Sequence, residues 1–198
     1  SLLFFWLVPF TFSFTSPVDM TKDFTIFQLG HPVLRQATEK VEDILNPEFQ
    51  AQLDALMEFV LEKGGMGIAA PQVGISQRFF IMSSHPNARY PHAPDIPAFF
   101  VINPEIITTS NTQEKDWEGC LSLPGIRGLV PRHTHIQVRY QTRHAEWVET
   151  HYDDFLARVF QHEFDHLQGH VFLDRVETNF DIMMEQEWQK LMMTRTES

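Results

Sequence analysis

Apolar residues recur along this chain at helical spacing in some stretches and at strand spacing in others. Between Asn46 and Gly64, Phe49, Leu53, Leu56, Met57 and Val60 fall on one stripe. Asn46 reads as the N-cap, Pro47 as the first-turn residue and Gly64 as the terminator of that helix. Residues 154–167 contain no Pro or Gly and read as a second helix; Asn179 to Met193 reads as a third. Arg78 to Ser83, Phe99 to Thr108, His135 to Tyr140 and Glu146 to Tyr152 read as strands, the last two with alternation. Residues 84–97, rich in proline and without period, read as a surface loop.

The helix predicted over 154–167 places ionisable residues on its apolar side. With Phe155 at zero on a wheel of about 100° per residue, Val159 falls near 40°, His162 near −20°, His166 near 20° and Glu163 near 80°. Leu156, Phe160, Phe164 and Leu167 lie between about 100° and 180°, continuing the apolar face. Asp154, Arg158, Gln161 and Asp165 cluster between about 240° and 300° and read as the solvated stripe. Two histidines and a glutamate therefore enter an apolar face. Burying them costs several kcal/mol unless each finds a partner. A metal ion is such a partner.

His162 and His166, four apart, sit on one face at the spacing that lets two imidazoles share a metal. Glu163 between them lies where it can take a proton from bound water. The plainer alternative is a surface helix with two solvated histidines, against which the wheel argues. Cys120, the sole cysteine, is the candidate third ligand, in Trp117-Glu118-Gly119-Cys120-Leu121-Ser122-Leu123-Pro124-Gly125. A lone cysteine forms no intrachain disulfide and is often a small buried hydrophobe. Here about forty residues separate it from the helix, ample for a strand to return beside it. Three protein ligands with a fourth position for water is the catalytic rather than the structural arrangement. A glycine-rich run, Gly64 to Gly74, lacks the Lys-Ser/Thr of a phosphate-binding loop. It offers close backbone approach and one amide, Gln72, able to stabilise an oxyanion. On its own such a run also serves simply to end a helix and turn the chain.

Together these segments resemble the signature motifs of peptide deformylases: a glycine-alanine loop ending in Gln (Gly65 to Gln72), Glu-Gly-Cys-Leu-Ser (Glu118 to Ser122) and a Gln-His-Glu-x-x-Asp/His-like helix (Gln161 to His166). Softer similarity covers Leu29 to Arg35 and Arg127 to Arg132, so the resemblance spans about residues 24 to 175. The Trp-Glu-Gly-Cys and Ala-Arg-Val-Phe-Gln-His wording is similar to organelle-like, type 1 members. The resemblance implies one divalent metal on Cys120, His162 and His166, Fe²⁺ with Zn²⁺ as substitute; ligand chemistry alone points to zinc. It implies that metal-bound water attacks a formyl carbon with Glu163 as general base, then acid, and that Gln72 and the Leu121 N–H hold the oxyanion. Glu118 would brace the pocket through Arg132, and Arg127 would contact the substrate backbone. The substrate would be the N-formylmethionyl end of a nascent chain. Phe155 and Val159, on the His162 face, are candidate lining for the methionine side chain, as are Gly65, Met66 and Gly67 of the loop.

The expected fold is α+β, antiparallel strands packed around the metal-binding helix, with one helix in the N-terminal half and one at the C-terminus. Residues 20–198 read as one domain. Residues 1–19 read as an apolar extension outside the working enzyme; residues 2–14 are short for a bilayer span and include Pro9. No stable membrane insertion is expected; retention of 1–19 would instead give a membrane-associated form. The expected compartment is the cytoplasm, with an organelle as the alternative. A formal charge of −11 argues against nucleic-acid binding. Asp181, Glu185, Glu187 and Glu197 outnumber Lys190 and Arg195, which makes ribosome docking through a basic terminal helix doubtful. Two other readings fit parts of the pattern: a zinc endopeptidase, from the helix motif alone, and a non-catalytic module with a structural metal.

Overall fold

The computed structural model describes residues 24–196 apart from Gly65 and Arg89. The apolar segment 1–19 and the loop residue Gly65 therefore lie outside the described residues. Helix α1 (Pro47–Lys63) forms where the capping signals place it. The Asn46 side chain accepts from the Glu48 and Phe49 amides at 2.9 and 3.3 Å. Gly64 closes the helix at φ 63°, a left-handed conformation that glycine adopts without a Cβ penalty.

Eight strands follow among the described residues: β1 (Gly67–Ala69), β2 (Phe79–Ser84), β3 (Ile96–Thr109), β4 (Gln113–Cys120), β5 (Leu123–His133), β6 (His135–Gln141), β7 (Trp147–Asp153) and β8 (Ile182–Met184). Helix α2 (Asp154–Leu167) precedes β8, and α3 (Glu185–Thr196) follows it. The strands form a five-stranded sheet, β1-β2-β3-β6-β7, and a three-stranded sheet, β4-β5-β8, with every pairing antiparallel. The architecture is α+β as expected.

The large sheet is covered on both faces, which explains the unbroken apolar run of β2. Phe79 and Ile81 point toward Phe49, Leu53, Leu56 and Val60 of α1. Phe80 and Met82 point the other way, toward Ala157, Val159 and Phe160 of α2. Strand side chains alternate faces, so a doubly covered strand needs apolar residues at every position. Helix α2 touches β1, β2, β6 and β7 on one side and β5 of the small sheet on the other. It is the element between the sheets.

Two expectations need correction. Strands β4 and β5 went unpredicted because β4 is mostly exposed and charged, while β5 carries Pro124, Pro131, Gly125 and Gly128. Pairing from Gln113↔His133 to Cys120↔Leu123 makes them strands, against local propensity. The last helix begins at Glu185 rather than Asn179. Ile182, Met183 and Met184 pair instead with Gly128, Arg127 and Ile126, so a sheet edge captures the start of the predicted helix.

Asn103 ties the segment before α1 to the large sheet. It sits at φ 51°, where Asn is tolerated better than most residues. Its side chain accepts from the Val41 amide and donates to the Val41 carbonyl and to Gln141 Oε1, each at 2.9 Å. Asn103→Ala strands two buried backbone groups and is expected to cost about 2–4 kcal/mol in guanidinium unfolding. A loss below about 0.5 kcal/mol, the range of an ordinary surface change, would contradict this account.

Candidate metal centre

Three segments converge on one point. The β4–β5 hairpin delivers Glu118, Gly119 and Cys120, with an irregularity in register between Glu118 and Cys120 that re-aims the cysteine. Helix α2 delivers His162, Glu163 and His166. A short helical turn, Ala70–Val73, delivers Gln72. The ligand atoms of Cys120, His162 and His166 lie within 4.8 Å of one another. Cys120 Sγ is 3.4 Å from His166 Nε2.

The donor set fits a divalent metal. Burial pushes the Cys120 thiol up, but His166 and His162 more than offset this and bring it to about 5, so the sulfur is a thiolate, the form that binds metal. His162 turns one ring nitrogen, Nδ1, to Glu118 Oε2 at 2.9 Å, and so is oriented for its other nitrogen to face Cys120. Carboxylate, histidine and metal in series is the arrangement that fixes a ligating imidazole's tautomer and orientation. Among the described residues no fourth side chain joins the group. This matches an open rather than a closed site.

Glu163 is 5% exposed and lies beside this cluster. Burial is the largest influence on its carboxyl, and although His162 and His166 pull it down, it is pushed up to about 7. Its Oε2 has no hydrogen-bond partner among the described residues. Gly67 makes room for it: a Cβ there would meet Glu163 Oε1 and the Ile81 carbonyl, each at 2.8 Å. Gln72 is anchored at both ends of its amide. Its Oε1 accepts from the Ala69 amide at 2.8 Å, and its Nε2 donates to Ser122 Oγ at 3.1 Å and Cys120 Sγ at 3.4 Å.

The stripe expected to be solvated is buried, with Asp154 the exception. Arg158, Gln161 and Asp165 are each less than a tenth exposed because the small sheet packs over them. Gln161 bonds the backbone of His133. Arg158 donates to Glu118 Oε1 at 2.9 Å and to the Val130 and Glu114 carbonyls. Arg132 grips Glu118 with two nitrogens, at 2.9 and 3.0 Å, and Asp165 with a third at 2.6 Å. Asp165 is bound in turn by Arg175. Burial disfavours the charge on Glu118, yet Arg132 and His162 hold its carboxyl far below the usual carboxylate range. Arg158 thus belongs to the support of the centre, a role its helix position disguised.

A cavity of about 590 Å³ opens over the centre. Met66, Gly67, Gln72, Glu118, Cys120, Leu121, Arg127, Phe155, Val159, His162 and Glu163 all line it. His166 lies deeper, 1% exposed. Tyr90, Lys63, Arg158 and Glu185 also line the cavity, and sequence reading missed them as pocket residues. Tyr90 sits in the loop between β2 and β3, and Glu185 opens α3; neither carries a local motif.

Comparison with known proteins agrees with this geometry. The chain matches the family described as polypeptide deformylase over residues 24–180. It is 49% identical over 171 residues to peptide deformylase 2 of Nostoc, covering 86% of this chain and 96% of that one. It is 40% identical over 151 residues to peptide deformylase 1 of Bordetella pertussis, covering 76% and 86%. Among solved structures, a Met-Ala-Ser-bound class I type b peptide deformylase from Acinetobacter baumannii superposes with a TM-score of 0.75 at 42% identity. That match covers 79% of this chain and 100% of that one. The peptide deformylase of Thermotoga maritima gives 0.69 at 38%, covering 78% and 98%.

If Glu118 orients His162 as described, Glu118→Gln lowers metal affinity about 10- to 100-fold, measured on folded protein by competition with a chelator. Unchanged affinity would remove Glu118 from that role.

Proposed function

The chain belongs to the polypeptide deformylase family, a metal-dependent hydrolase that removes the formyl group from the amino terminus of newly made polypeptides, and on that premise we propose how its residues divide the work. The observation that carries the proposal is the group of Cys120, His162 and His166 ligand atoms within 4.8 Å, beside the buried Glu163 carboxylate at the wall of the cavity. Cys120, His162 and His166 hold one metal ion. Bound there, a divalent metal supplies Lewis acidity that brings the pKa of water toward neutrality. We assign iron as its native identity and zinc as its substitute, against the higher intrinsic affinity of zinc for such ligands.

Glu163 accepts the proton of the attacking water and returns it to the departing amine. A carboxyl at about 7 suits both halves of that cycle, since it is neither too weak a base nor too weak an acid at neutral pH. Gln72 Nε2, fixed through Ser122 and the Ala69 amide, donates to the formyl oxygen as negative charge develops, together with the Leu121 N–H. Because Gln72 is already anchored at both ends of its amide, it loses little freedom on engaging the substrate.

Phe155, Val159 and Met66 line the cavity where the substrate's methionine side chain is taken up. Full burial of that side chain is worth about 1.5–3 kcal/mol, which selects the residue that the small formyl group cannot specify. Gly67 leaves the space that Glu163 occupies, and Arg127 closes the cavity on the hairpin side. The place of action on this reading is the cytoplasm, where nascent chains emerge. With a formal charge of −11 the chain repels phosphate backbones, so the nascent peptide rather than nucleic acid is the partner. No helix among the described residues is long and apolar enough to cross a membrane.

Glu163→Gln keeps size and hydrogen-bonding reach but removes the base. Formate release from a formyl-Met peptide should fall about a thousandfold, with metal content unchanged by atomic absorption. Turnover within about tenfold of the parent would exclude Glu163 as the proton acceptor.

A further inference from the structure

Arg127 makes its polar contacts with groups other than the candidate metal ligands. Its guanidinium forks onto Glu185, the first residue of α3, with Nε at 2.5 Å from Oε2 and Nη2 at 3.1 Å from Oε1. It lies over the Trp188 ring at 4.8 Å, one turn further along α3. Its Nη1 donates to Tyr90 Oη at 3.4 Å. Tyr90 in turn donates to the Trp117 carbonyl and packs on Phe155. The guanidinium also rests against Gly119, the neighbour of Cys120; a Cβ at Gly119 would fall 2.2 Å from Nη1. Arg127 therefore sits one residue from the metal centre in the cavity wall, with its charge occupied by a carboxylate from the C-terminal helix.

We propose that Glu185 is a positioning and specificity-determining residue that neutralises Arg127 within the substrate cleft, so that the cleft accepts a continuing peptide chain in preference to a terminal carboxylate. The inference rests on the deformylase reading of the site. The physical logic is charge matching. A nascent chain presents only neutral peptide units along the cleft, whereas a short formyl peptide ends in an anion. A guanidinium without a carboxylate partner, 4% exposed in the cavity wall, would attract that anion more strongly than a cation in bulk water. A guanidinium already paired bidentately offers little net attraction. Helix α3, which otherwise makes few contacts with the site, thereby takes part in choosing the substrate. The side chains of Arg127 and Glu185 are 4% and 19% exposed, so the pair is formed in the wall and not in free solution.

The test measures kcat/KM for formyl-Met, formyl-Met-Ala and formyl-Met-Ala-Ala, each as the free acid and as the C-terminal amide. In Glu185→Gln, and in Glu185→Ala as the second variant, the acid-to-amide ratio should rise about fivefold over the parent at one or more of these lengths. The rise should shrink with added salt. Adding Arg127→Gln should return the ratio to the parental value. An unchanged ratio at every length, or an equal rise in the double variant, overturns the proposal. A loss of fold or stability alone would lower both substrates together and leave the ratio fixed, which also overturns it. Failure of the parent protein to release formate from any of the six compounds would instead count against the deformylase reading.

Discussion

The Glu118 carboxylate is the point at which the small sheet is joined to α2, the helix between the sheets. It receives Arg132 from its own sheet, Arg158 and His162 from α2, and is almost completely buried. A lone carboxylate in that position would be expelled or protonated. Surrounded by two guanidiniums and an imidazole, it stays charged, and removal of any one partner leaves buried charge unmatched. The same bonds that hold α2 against the hairpin fix the ring of His162. Folding and assembly of the metal centre are thus a single packing event: the hairpin that brings Glu118 also brings Cys120, and the helix that brings His162 also brings Glu163 and His166.

The helices were legible because their signals are local. Asn46, Pro47 and Gly64 bound α1 by backbone chemistry alone, and the 154–167 helix appears with the limits that its pattern predicts. The candidate site residues of α2 were legible for the opposite reason, since His162, Glu163 and His166 violate the apolar pattern of their own helix face. Of the buried ion network only the Glu118–Arg132 pair was legible, and that through the family resemblance; the rest was not. Arg158, Gln161 and Asp165 form a polar row that looks solvated on a wheel. Whether such a row meets water or a complementary polar surface depends on what packs there, and β5, with its prolines and glycines, gave no sign of being a strand. The row and the hairpin were each misread for want of the other.

Glycines at the centre serve close approach more than chain reversal. Gly67 admits the Glu163 carboxylate and Gly119 admits the Arg127 guanidinium, in both cases where a Cβ would collide. The two sites bound the same cavity from different sides. One sets the proposed proton acceptor against β1, and the other lets a cation paired to α3 lie beside the cysteine. Close-packed polar groups of this kind are strongly coupled, which is why distant elements such as the β2–β3 loop and α3 bear on a centre whose proposed ligands come from only two segments.

The central claim is that one metal on Cys120, His162 and His166 confers deformylation. Its most direct test is a titration of metal-free protein with Fe²⁺ under anaerobic conditions, with formate release from a formyl-Met peptide read at each addition and Zn²⁺ run in parallel. The account predicts a linear rise that stops at one metal per chain, with iron giving the faster enzyme. Formate release independent of added metal, or a rise that continues well beyond one metal per chain, would contradict it.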